Sequence, residues 1–243
     1  MKLINIPNII TCCNLLCGCM AVFFGIHGQM DFACLCIVAG AVFDFFDGMT
    51  ARALGISGPI GKELDSLADM VSFGFAPAVL AYQIIVFAEG GNLGEFAWMA
   101  FLITAIMAAF SALRLAKFNC DERQHLSFIG LPTPANALFW IGLTYIIRID
   151  SVITFTQNHA YACGVALGLL LVAMSVLLIC ELPMFSLKIK PGHMSWAENK
   201  VRYSFLIITA LILACFAIIG QLAASLAVII LLYIVSSCFA AKK

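Results

Sequence analysis

Residues Asp44–Arg52 read D-F-F-D-G-M-T-A-R, and eight residues later Gly61–Asp69 read G-K-E-L-D-S-L-A-D. The stretch joins two strongly apolar segments, so it sets four aspartates at the edge of a membrane. Carboxylates there are expensive and need something to neutralise them. Asp44 and Asp47 are spaced i, i+3 and Asp65 and Asp69 i, i+4, so on helices each pair occupies one face. Two such faces brought together make an all-oxygen cage, which suits Mg²⁺ or Mn²⁺ rather than zinc.

Outward from this stretch the chain is apolar almost throughout. Of its 243 residues 63% are hydrophobic and 11% charged, where a soluble domain would be about a quarter charged. A polytopic, all-α membrane bundle is expected. Runs long enough to cross a bilayer, roughly 17–25 residues, lie near 9–26, 32–50, 69–88, 96–116, 135–149, 160–180, 203–219 and 222–240. Asn14, Asp44, Asp47, Arg114 and Lys117 fall within or at the ends of these runs and must face the bundle or a wet cavity.

Formal net charge is zero, but its distribution is lopsided. With the N-terminus inside, 12 of the 13 Lys and Arg residues fall on the cytoplasmic side and only Arg148 on the other. The positive-inside rule then predicts cytoplasmic termini and a cytoplasmic aspartate cluster in a multi-pass cell membrane protein. No nucleic-acid partner is expected. The 11 cysteines sit mostly inside the apolar runs with no zinc-type spacing, and read as packing residues. Leu16–Cys19 has the look of a lipoprotein cleavage box, but Pro7, Asn8 and Asn14 interrupt its upstream region, so cleavage is not expected.

Between the two aspartate pairs, Gly55, Gly58, Pro59 and Gly61 break the helix and allow a tight reversal. The polar connection Asp121–Asn136 is stiffened by Pro132 and Pro134, and the one from Leu182 to Asn199 is basic at Lys188 and Lys190. Gly48 and Ala51 lack bulk, which would let a ligand or a neighbouring helix come close. Arg52 offers a fork suited to phosphate oxygens, or an anchor at the membrane edge.

The pattern D-x2-D-G-x2-A-R-x8-G-x3-D-x3-D is met from Asp44 to Asp69 at every typed position. It resembles the signature of the CDP-alcohol phosphotransferases. The flanks S-L-A-D-M-V-S-F-G-F-A-P-A (Ser66–Ala78), S-A-L-R-L-A-K-F-N (Ser111–Asn119), F-I-G-L-P-T-P-A (Phe128–Ala135) and I-P-N-I-I-T-C-C-N-L-L-C-G (Ile6–Gly18) are similar to those of the members that use serine. The resemblance implies a six-helix catalytic core, a polar cavity open to the cytoplasm, and a two-metal site. It also implies displacement of CMP from CDP-diacylglycerol by the hydroxyl of L-serine. One membrane-embedded catalytic domain is then expected over residues 1–243, its core in about 1–180. The helices of about 200–240 are left to packing or assembly, a homodimer included.

By that resemblance Asp44, Asp47, Asp65 and Asp69 hold the metals, with Asp69 also the base for the serine hydroxyl, and Gly48, Ala51, Arg52, Gly61 and Lys62 meet the CDP moiety. Four such carboxylates carry about −4, which two divalent ions would offset, leaving Arg52 and Lys62 to balance the pyrophosphate. An amino-acid acceptor needs a cation for its carboxylate; Arg114 leads, followed by Lys117 and Asn119, with Pro132–Pro134 a candidate lid. Rival readings are a sibling enzyme with glycerol 3-phosphate or an inositol phosphate as acceptor, a prenyl transferase, and a divalent-cation transporter. A transporter would carry its carboxylates near the bilayer midplane on broken helices, whereas these stand at helix ends.

Overall fold

The computed structural model describes residues 4–56, 58–91, 93–121, 128–184 and 200–241. Lys188, Lys190 and Arg123 lie outside the described residues. The helices are α1 (Ile6–Ile26), α2 (Met30–Leu54), α3 (Pro59–Asp69), α4 (Ala76–Ala88), α5 (Ala97–Cys120), α6 (Thr133–Ile147), α7 (Asp150–Asn158), α8 (Ala160–Ile179), α9 (Lys200–Ile218) and α10 (Ser225–Ala241). The chain is an all-α, polytopic membrane protein. Seven helices among the described residues are long and apolar enough to cross a bilayer. The only strand pairing described is a two-residue antiparallel ladder, β1 (Phe128–Ile129) on β2 (Pro183–Met184).

Two expected spans need correction. The third does not begin at Asp69: α3 and α4 run as one 30-residue helix, Pro59–Ala88, through the π-helical segment Met70–Phe75. Pro77 supplies a cause, having no N–H to donate and a ring that crowds the carbonyl one turn back. The helix widens instead, and the Ala76 N–H reaches the Val71 carbonyl. The fifth span, expected over 135–149, runs two residues earlier and is too short to cross by itself. α6 has 15 residues, about 22 Å of rise against a hydrocarbon thickness of about 30 Å. It meets α7 at an 86° bend, so the pair makes an eighth span only if counted as one broken crossing. At that bend Arg148 donates to Asp31 Oδ1 (2.7 Å), clasping the far end of α2.

The α3–α4 helix is the centre of the bundle: 61% of its most apolar stretch is buried, against 6% for α9. Its π segment is also where α1 and α5 come close. A Cβ on Gly18 of α1 would stand 2.5 Å from Ser72 Oγ, and one on Gly74 would stand 2.8 Å from Ser111 Cβ of α5. Below this level Phe139, Trp140, Met107, Leu171, Met174 and Leu178 fill the core between α5, α6 and α8. α10 packs against α6, while α9 touches mainly α10.

Candidate active site

The reversal between α2 and α3 is made by its glycines. Gly55 takes a left-handed conformation (φ 65°) that ends α2, with the Ile56 N–H closing onto the Ala51 carbonyl at 3.0 Å. Pro59 starts α3 with its ring in the first turn, where no N–H is missed. The chain is thereby folded so that both aspartate pairs face α1.

Asp44, Asp47 and Asp65 each offer an oxygen, and these oxygens lie within 4.8 Å of one another. Asp47 is buried, and both Asp47 Oδ2 and Asp65 Oδ1 are buried atoms without a hydrogen-bond partner among the described residues. Buried, unpaired carboxylate oxygens converging on one point are a poor arrangement for protein alone and a good one for a hard cation. The cluster could bind a metal. Asp69 lies outside this trio but within hydrogen-bond reach of Asp44. It is held by Asn14, whose Nδ2 donates to Asp69 Oδ1 (3.2 Å). Asn14 is fully buried: Ser72 Oγ donates to its carbonyl (2.9 Å), and Gly40 leaves the room its side chain needs.

A cleft of about 240 Å³ opens beside the trio, lined among others by Asn8, Thr11, Asp47, Gly48, Ala51, Gly61, Lys62 and Asp65. Four of the five residues expected at the CDP moiety therefore border one cleft with two of the aspartates. The fifth, Arg52, is exposed and turns its guanidinium back over Gly48. Lys62 also donates to the Asn119 carbonyl (2.9 Å), and Asn119 Nδ2 donates to Ser66 Oγ (2.8 Å), so these residues tie α3 to the end of α5.

Arg114 is 6% exposed, donates through Nη1 to Thr133 Oγ1 (3.3 Å), lies over the Phe118 ring and is within electrostatic reach of Asp69. Lys117 instead pairs with Glu181 (3.3 Å). The Pro132–Pro134 segment, expected as a candidate lid, leads into α6: buried Thr133 and half-buried Pro134 form its first turn, pre-set by the Pro132 conformation. The residues absent from the sequence-based site are Asn8, Thr11, Asn14 and Asn136. The first three recur every third residue along an otherwise apolar helix, a polar stripe that could have been read as facing the cluster.

Comparison with known proteins supplies the family. The family model described as CDP-alcohol phosphatidyltransferase matches residues 4–179, which end with α8. The chain is similar to the CDP-diacylglycerol–serine O-phosphatidyltransferase of Bacillus subtilis, 35% identical over 140 residues, covering 58% of this chain and 75% of the relative. It is similar to the protein of the same description from Helicobacter pylori, strain 26695 (33% identical, covering 63% of this chain and 61% of the relative). The archaetidylserine synthase of Methanothermobacter thermautotrophicus is 33% identical, the match covering 56% of this chain and 55% of that protein. With the signature intact, its aspartates gathered and the family model matched over most of its length, the chain belongs to the CDP-alcohol phosphatidyltransferase family.

Proposed function

We propose that the protein transfers the phosphatidyl group of CDP-diacylglycerol to the hydroxyl of L-serine, giving phosphatidylserine and CMP. The observation that carries this reading is the convergence of Asp44, Asp47 and Asp65 on one point beside Asp69. Serine as acceptor is supported by the descriptions of the relatives and by the buried guanidinium of Arg114 near Asp69.

Asp44, Asp47 and Asp65 would hold divalent cations, Mg²⁺ or Mn²⁺, two per site, with Asp69 at the edge of the set. When bound, such ions polarise the phosphorus and stabilise the leaving CMP. Arg52 and Lys62 offset the remaining charge of the pyrophosphate, and Gly48, Ala51 and Gly61 let it approach the backbone. Arg114 orients serine through its carboxylate. Asp69, aimed by Asn14, takes the proton of the serine hydroxyl as its oxygen bonds to the lipid-side phosphorus and the bond to CMP breaks. The reaction would take place at the cytoplasmic face, to which the positive-inside rule assigns 12 of the 13 basic residues.

The test is a panel assay with purified protein, CDP-diacylglycerol, Mn²⁺ or Mg²⁺, and L-serine, glycerol 3-phosphate, an inositol phosphate or no acceptor. CMP and phosphatidylserine formed in equal amounts only with serine and metal is the expected result. Product with a phosphorylated acceptor and none with serine would reassign the enzyme to a sibling activity. Metal flux in proteoliposomes without lipid turnover would make it a transporter.

A further inference from the structure

Asn136 is a polar side chain that the mechanism above leaves unused, and its surroundings are unusual. It is fully buried in the first turn of α6. Its Nδ2 donates to the sulfur of Met107 (3.2 Å), which fixes the orientation of the amide, and its Oδ1 has no hydrogen-bond partner among the described residues. Arg114 presents the complementary defect: Nη1 is engaged by Thr133, yet buried Nε has no partner among the described residues. A buried acceptor and a buried donor left unmade are each costly, and such groups call for an explanation.

The two lie on one seam. Thr133 and Asn136 are three residues apart on α6, so their Cβ atoms are about 5–6 Å apart on the same face. Met107 and Arg114 are seven apart, two turns along one face of α5. Thr133 touches Arg114 and Asn136 touches Met107, so the facing stripes of α5 and α6 meet at both levels. A free α-amino acid carries a carboxylate and an ammonium on one carbon and needs a donor for the first and an acceptor for the second. Arg114 is also within electrostatic reach of Asp69, the base of the proposed reaction. Met107, an unbranched thioether, is a wall that can repack to make room.

We propose that Asn136 is the acceptor-specificity residue that binds the ammonium group of the amino-acid substrate through its Oδ1, opposite Arg114 on the carboxylate. The assignment rests on serine being the acceptor and deepens that reading.

The experiment compares kcat/KM for L-serine with that for 3-hydroxypropanoate, which lacks the ammonium, and ethanolamine, which lacks the carboxylate. Wild type, Asn136→Ala, Asn136→Leu and Arg114→Ala are assayed with CDP-diacylglycerol. Each ratio is internal to one preparation, so a misfolded fraction does not alter it. In both Asn136 variants the preference for serine over 3-hydroxypropanoate should fall roughly 10–100-fold, while the KM for CDP-diacylglycerol holds. Arg114→Ala should instead erode the preference over ethanolamine. An unchanged serine to 3-hydroxypropanoate ratio in either Asn136 variant, with the wild type active on serine, overturns this assignment alone. Absence of serine turnover by the wild type would instead strike the proposed function itself.

Discussion

Asp69 differs from the other three aspartates in what holds it. Asp44, Asp47 and Asp65 converge on a shared point, whereas Asp69 takes a hydrogen bond from Asn14. A ligand and a base should therefore fail differently. Asp44→Asn, Asp47→Asn and Asp65→Asn each remove a charged donor, and calorimetric titration with Mn²⁺ should find binding lost along with nearly all turnover. Asp69→Asn should retain binding of Mn²⁺ and CDP-diacylglycerol but lose turnover by roughly 10²–10⁴-fold, the usual contribution of a positioned base. If Asp69→Asn binds no metal, Asp69 is chiefly a ligand; wild-type Mn²⁺ affinity in the other three would remove the cage. The aspartates were legible because helical spacing puts each pair on one face. Asn14 was not, since its partner stands 55 residues away and only the fold brings them together.

At the scale of the helix, small residues decide how closely elements pack. A Cβ on Gly142 of α6 would run into the backbone nitrogen of Ala227 at the start of α10. A backbone atom cannot swing aside as a side-chain tip can, so Gly142→Ala should destabilise the protein by about 1–3 kcal/mol. Gly168 on α8 meets nothing within 4 Å, so Gly168→Ala should be neutral or stabilising by about 0.5–1 kcal/mol, the usual helix-interior gain. Thermal unfolding in detergent, followed by loss of helical signal, separates the two. Equal midpoints would mean that the α6–α10 contact is looser than described. Hydropathy found the apolar runs but not where they bend. It averages over about 19 residues, so it misses the π segment that Pro77 imposes and lets the short α6 pass for a full span.

For the whole molecule, the matched family region ends with α8, and the helices beyond it divide in role. α10 is pressed onto α6, whereas α9 rests mainly on α10 and has only 6% of its most apolar stretch buried. The bundle's class and most of its spans followed from composition, since a chain this apolar has few other ways to satisfy its backbone. The arrangement of the site did not, because it depends on α1 lying against both aspartate helices. Under the proposed function the trio holds cations and Asp69 takes the proton, and no nucleophile–base pair among the described residues is left to carry a phosphatidyl intermediate, so a single displacement is expected. The most direct measurement is the stereochemical course at phosphorus, using CDP-diacylglycerol made chiral by oxygen and sulfur labelling, with CMP exchange followed in parallel without serine. Inversion, with no exchange until serine is added, is the predicted result. Net retention, or rapid exchange of CMP into CDP-diacylglycerol in the absence of serine, would contradict it.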